Sequence, residues 1–215
     1  MLFLSLPRTH ACVGTKAWQA IQFKKLLLII SFITAGYVYA DLQVYILDPS
    51  HTSVTWRISH FGFSHPSGKW MVENGEINLD EKNLSNSKVT ATIQIDDVTS
   101  GIQKLDQELI GNQFFDATKF PKAVFTSTSV KQKSASKLTV IGDLTMHGVT
   151  KPVTLDVTVN KIGTRPIIMR KGAGFSATAK IKRSDFGMKA YLPGLGDVVD
   201  LSIEVEAAVP KPEAK

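Results

Sequence analysis

Cysteine is almost missing from this chain: there is one in 215 residues, Cys12, and it stands in the N-terminal segment. A lone thiol builds no intrachain disulfide and no cysteine-based metal site, so the fold has to rest on its own core. Acidic residues are missing altogether before Asp41. Also missing are a Gly-x-Ser-x-Gly elbow, helical His-Glu metal spacing, a Gly-rich phosphate loop, and any internal repeat or low-complexity linker. These absences argue against an α/β serine hydrolase, a zinc protease, a kinase and a solenoid. The triplet Asp185-Phe186-Gly187 matches a kinase signature by letters alone, because the loops that give it meaning are not there. No cofactor motif is present and no cofactor is expected.

What the first 40 residues do contain is Arg8, Lys16, Lys24 and Lys25, followed by the apolar run Leu26 to Val38. That run has 13 residues, short for a bilayer span and suited to the core of a secretory signal. Val38-Tyr39-Ala40 then offers a cleavage site, which makes 1–40 a signal peptide, 41–215 the mature domain, and the periplasm the expected location. Cleavage removes four of 25 basic residues and none of 19 acidic ones, leaving 21 against 19, or +2. A surplus that small is no footprint for nucleic acid. The 175 residues that remain suit one domain with one core.

The dominant period of that domain is two. Val54, Trp56 and Ile58 alternate with polar residues, as do Val89-Ala91-Ile93-Ile95, Val153-Leu155-Val157-Val159, Phe175-Ala177-Ala179-Ile181 and Val199-Leu201-Ile203-Val205. Weaker strands are expected at Lys69 to Leu79, Lys122 to Val130 and Lys137 to Met146, with turns at 65–68, 134–136 and 161–170. One stretch breaks the period: Ile102, Leu105 and Leu109 predict a short helix at about 100–113, capped by Thr99 or Ser100 and ended by Gly111-Asn112. The sum is an all-β fold, an antiparallel meander of eight long strands. Such a barrel is either filled by side chains or wide enough for one small ligand.

Reactive groups are few. His51, His60, His65 and His147 lack a spacing that completes a metal site, and strand-end hydrogen bonding is their expected role, with no metal ligand among them. Asp96-Asp97 reads as a turn, since strand neighbours point to opposite faces. Arg183 and Asp185 read as a structural ion pair or a cap, in preference to a headgroup contact. The basic groups Lys161, Arg165, Arg170, Lys171 and Lys131, Lys133, Lys137 mark two loops suited to transient contact with an anionic membrane surface.

Four separated motifs carry a resemblance. They are Asp48 to Val54 with His60-Phe61-Gly62; Asn112 to Asp116 with Phe120-Pro121 and Phe125-Thr126-Ser127; the hairpin Gly142 to Val153, built around Gly148 and Pro152; and Gly174-Phe175 with Arg183 to Gly187. Together, in that order, they resemble the YceI-like family of small exported barrels associated with polyisoprenoid lipids. The resemblance implies an extended eight-stranded lipocalin-like β-barrel that holds an isoprenoid lipid, of polyprenyl or quinone type, without catalysing a reaction. One departure is Leu105-Asp106-Gln107-Glu108-Leu109, which stands where the family pattern has Arg-Asp-x-His-Leu, so no headgroup contact carries over there. Trp56, Ile58, Trp70, Ile93, Phe114, Phe115, Phe125, Phe175 and Phe186 are the residues expected to line or close the binding space. The alternative reading is an envelope stress or interaction protein with a packed core. A monomer and a homodimer fit the sequence equally.

Overall fold

The computed structural model describes residues 41–212; the expected signal peptide lies outside them. Branched and aromatic residues at every second position produce ten strands: β1 Leu42–Leu47, β2 Ser53–His60, β3 Ser67–Met71, β4 Asn74–Asp80, β5 Lys88–Gln94, β6 Lys122–Gln132, β7 Lys137–Met146, β8 Val149–Arg165, β9 Arg170–Lys182 and β10 Leu195–Ala208. One helix, α1 Gln103–Ile110, joins them.

Ten strands fill eight places in an antiparallel meander. Strands β2 and β3 form one half of a long hairpin and β1 and β4 the other, with the break at 48–52 on one arm and 72–73 on the other. The wall then runs from β4 through β5, β6, β7, β8 and β9 to β10, which pairs with both β2 and β1 and closes the ring. Closure leaves no long free edge. Register shifts in β6 at Ser127/Ser129 and in β8 at Val159/Lys161 supply the local bending that closure requires. Strand β1 was not anticipated: Asp48-Pro49 cuts it from β2, and on sequence the turn residues outweigh the short run before them.

Two turns differ from expectation. The segment 161–170 is mostly strand, because β8 continues to Arg165 and pairs it with Arg170; the turn is only 166–169. The turn expected at 65–68 comes earlier, at 61–63, and β3 already starts at Ser67. Pro152 is the fourth residue of β8, tolerated because pairing with β9 begins only at Asp156. The β7–β8 reversal itself is two residues, His147 at φ 52 and Gly148 at φ 73, the pair of positive angles that suits a tight hairpin.

Among the described residues, β3 has no strand on its outer side. The excursion 95–121 fills that notch: Thr99 exchanges both backbone hydrogen bonds with Lys69, at 2.8 and 3.0 Å. The helix begins later than expected, with Ile102 at its N-cap. Ser100 still stabilises the entry, because its Oγ accepts from Ile102 N at 3.2 Å while its own N–H donates to Asp106 at 2.7 Å. Leu109 is buried and Leu105 half-buried, so α1 lays its apolar face over one end of the barrel.

Candidate functional site

The interior is not filled. A cavity of about 720 Å³ runs within the barrel, lined almost wholly by apolar side chains from every wall strand and from α1. Its size falls in the range of small-molecule sites. Alternate residues build it: β2 contributes Val54, Trp56 and Ile58, β5 contributes Val89, Ala91 and Ile93, and β10 contributes Val199, Leu201, Ile203 and Val205. Space exists because small residues stand among large ones, with Ala91 and Ala177 on different strands.

Eight of the nine residues picked from the sequence lie on this wall: Trp56, Ile58, Trp70, Ile93, Phe114, Phe115, Phe125 and Phe175. Trp56, Ile58, Trp70 and Phe114 pack together beneath α1. Trp70 is fixed by its Nε1–H, which donates to Ile95 O at 3.0 Å, and by an edge contact with Phe115, ring centroids 5.3 Å apart. Phe125 pairs with Leu144 of β7, and its ring lies over the diagonal neighbour Gly142, where a Cβ would collide with it. The Trp56 indole nitrogen is buried without a hydrogen-bond partner among the described residues.

Phe186 is the exception. It is 1 % exposed and packs with Met146, Val153 and Met188, but it is not in the cavity wall. The chain leaves β9 in a 3-10 turn, Arg183–Phe186, and the two-residue period that governed the strand no longer sets the side chain's direction.

Sequence reasoning missed several lining residues. Leu138, Val140, Leu144 and Met146 come from β7, whose alternation is interrupted by Gly142, and Leu105 and Leu109 come from α1. Arg183 was misread. It is 4 % exposed and forms no ion pair with Asp185. Its guanidinium donates to four backbone carbonyls, Gly196 at 2.8, Met188 at 3.0, Ala190 at 2.8 and Leu195 at 2.9 Å. Burial pulls its pKa below the usual arginine value, with the Asp197 charge opposing. A fork that satisfies four carbonyls pins the β9–β10 connection across one end of the cavity.

The cavity has a mouth on that end. His60, Phe61, Ser64, Glu108 and Tyr191 belong to its lining and are exposed. At the far end the lining finishes at Ser87 and Lys88.

Titratable groups gather elsewhere. Asp48, His51 and Glu206 each bring one ligand atom within 4.8 Å of the others, but Arg165 already sits among them, 3.0 Å from Asp48 and 2.8 Å from Glu206. A guanidinium takes the place a metal cation would need. Burial raises the Asp48 pKa, yet Arg165, His51 and the Ser50 N–H outweigh it and hold the carboxyl below the usual range. His147 shares a 2.8 Å hydrogen bond with Phe186 O, a structural tie between the β7–β8 turn and the β9–β10 connection.

Comparison with known proteins decides the lineage. The YceI-like domain pattern matches residues 45–207. The chain belongs to the YceI-like family. It is 39% identical to Protein YceI of Shigella flexneri, over 87% of this chain and 100% of that one. The crystal structure of the Campylobacter jejuni YCEI protein superposes with a TM-score of 0.63 at 30% identity, covering 69% of this chain and 88% of that one. A Saccharophagus degradans structure described as a polyisoprenoid binding domain implicated in plant cell wall breakdown matches with a TM-score of 0.59 at 14% identity, covering 79% and 99%. That last likeness establishes the YceI-like barrel as a shared fold.

Proposed function

We propose that this YceI-like protein holds a long apolar chain of the isoprenoid class in its barrel and carries or stores it in the cell envelope without catalysis. The observation that supports this most directly is the cavity itself: about 720 Å³ of interior space, open at a mouth, whose polar side chains are confined mainly to its ends. Each methylene kept from water contributes roughly 0.8 kcal/mol, so ten carbons sheathed by such a wall retain about 8 kcal/mol that water alone would not offer. The Saccharophagus domain, described as polyisoprenoid binding, supplies the ligand class by analogy of fold.

The test is mass spectrometry of organic extracts from the protein purified out of expressing cells. A stoichiometric long-chain isoprenoid is the expected finding. Repeated extracts with no apolar molecule would favour an envelope interaction protein and defeat the carrier reading.

A further inference from the structure

The cavity mouth is ringed by apolar side chains that water should not see. Phe61 is 52 %, Ile102 59 % and Tyr191 60 % exposed, and all three also belong to the cavity lining; Phe63 beside them is 92 % exposed. The rim is therefore continuous with the interior, and it draws on three separate segments: the β2–β3 turn, the entry to α1, and the β9–β10 connection.

Two of these aromatics stand on unusual backbone. Phe61 has φ 51 and Tyr191 φ 59, a region in which a bulky residue is an outlier held by its surroundings. The holding contacts are visible. Phe61 N–H donates to Gly194 O at 2.8 Å, its ring lies where a Cβ on Gly194 would stand 2.2 Å away, and Leu195 N–H donates to Tyr191 O at 2.9 Å. The Tyr191 hydroxyl donates to Gln113 Oε1 at 3.2 Å, tying the rim to the segment after α1.

Charge points away from an ionic partner. Glu108 is the acidic group in the lining at the mouth, and the segments that form the rim carry both signs, with Lys104, Asp106 and Glu108 on α1 and Lys189 in the β9–β10 connection. The basic groups first considered for membrane contact lie at the opposite end of the barrel, where Arg165, Lys171 and Lys133 are paired with acids. Ile167 and Met169 are exposed at that end too, but neither reaches the cavity wall.

We propose that the rim formed by Phe61, Phe63, Ile102 and Tyr191 docks on a lipid bilayer, so that an apolar chain passes between membrane and cavity without crossing water. This rests on the carrier reading above and adds where the exchange occurs. Docking by aromatic and aliphatic side chains rather than by charge makes the contact insensitive to salt.

The test measures transfer of a pyrene-tagged farnesyl lipid from the loaded protein to phosphatidylcholine vesicles. The rate should rise in proportion to vesicle concentration and be unchanged between 0.1 and 1 M NaCl, both about round values chosen to shorten the screening length severalfold. Phe63→Asp should slow transfer about tenfold or more, on the order of 1.4 kcal/mol or above, and Phe63→Trp should restore it. The double change Ile167→Ser, Met169→Ser at the opposite end should leave the rate unaltered. Loading of the same probe from cyclodextrin, which needs no bilayer, should be equal in wild type and Phe63→Asp. A rate independent of vesicle concentration, a full rate in Phe63→Asp, or a loss confined to the opposite-end variant would overturn docking at the rim. A Phe63→Asp change that converts a dimer to a monomer at full transfer rate would assign the rim to a second copy instead. Failure of the wild type to load from cyclodextrin would count against the carrier reading itself.

Discussion

At the scale of single residues, the cavity is decided by which side chains are small. Ala177 is 6 % exposed and faces the cavity space, so Ala177→Leu projects three further carbons into a void rather than into packed atoms. Its unfolding free energy should stay within about 1 kcal/mol of wild type while ligand loading falls; a loss of 1–3 kcal/mol, about that of overpacking, would show a filled core. Trp56 poses a different question, because its N–H is buried without a partner among the described residues. Trp56→Phe removes an unsatisfied donor along with some apolar area, two effects of opposite sign, so thermal unfolding should change by less than about 1 kcal/mol. A fall of about 3 kcal/mol would reveal a partner for that nitrogen. Such facts are illegible in sequence: alternation identifies which face a tryptophan occupies, whereas the satisfaction of its nitrogen depends on atoms far along the chain.

At the scale of elements, the strands, the short helix and the tightest turns were readable, and the contacts of the longer connections were not. A strand's period of two follows from local pleat geometry, which is why the inward sets of β2, β5, β9 and β10 could be named beforehand. Connections obey tertiary contacts. Arg183 looked like half of a local ion pair and is instead the peg of the β9–β10 connection, donating to four carbonyls across residues 188–196. Arg183→Met should leave those carbonyls without their donor and lower stability by about 3 kcal/mol, or about 10 °C in the thermal midpoint for a domain of this size. Calorimetry checks it; an unchanged midpoint would mean the connection holds itself. Phe186 failed for the same reason, because a 3-10 turn resets the side-chain direction inherited from β9.

At the scale of the whole molecule, the poles of the barrel are held by carboxylates that the fold keeps ionised. Asp80 accepts from the Lys82 and Asn83 N–H groups at 3.0 and 2.9 Å and from the Asn86 amide at 2.8 Å. The Asn86 bond leads in holding its pKa below the usual value, with the Asn83 N–H next and burial opposing. At the other pole Asp197 accepts from Ser184 N and Oγ; burial raises its pKa, but the Ser184 bonds and Arg183 prevail and lower it. Groups whose folded pKa is depressed bind fewer protons in the folded state, so their stabilisation is full above the unfolded carboxylate range and is lost as pH falls through the folded values. The thermal midpoint should therefore be flat from pH 8 to about 5 and drop below about pH 4. Asp80→Asn should lie lower at neutral pH and converge on wild type in acid. A midpoint that held constant through pH 3 would contradict this.

The sequence by itself determined the all-β class, the family, and the inward phase of most strands, because these depend on residue type at fixed local spacing. Tertiary structure alone decided that the interior of the expected barrel stays open, that Arg183 pins a connection and Phe186 leaves the wall, and that strained aromatics gather at one mouth. Each of those depends on how residues distant in the chain meet, and spacing along the chain carries no record of the space they leave between them.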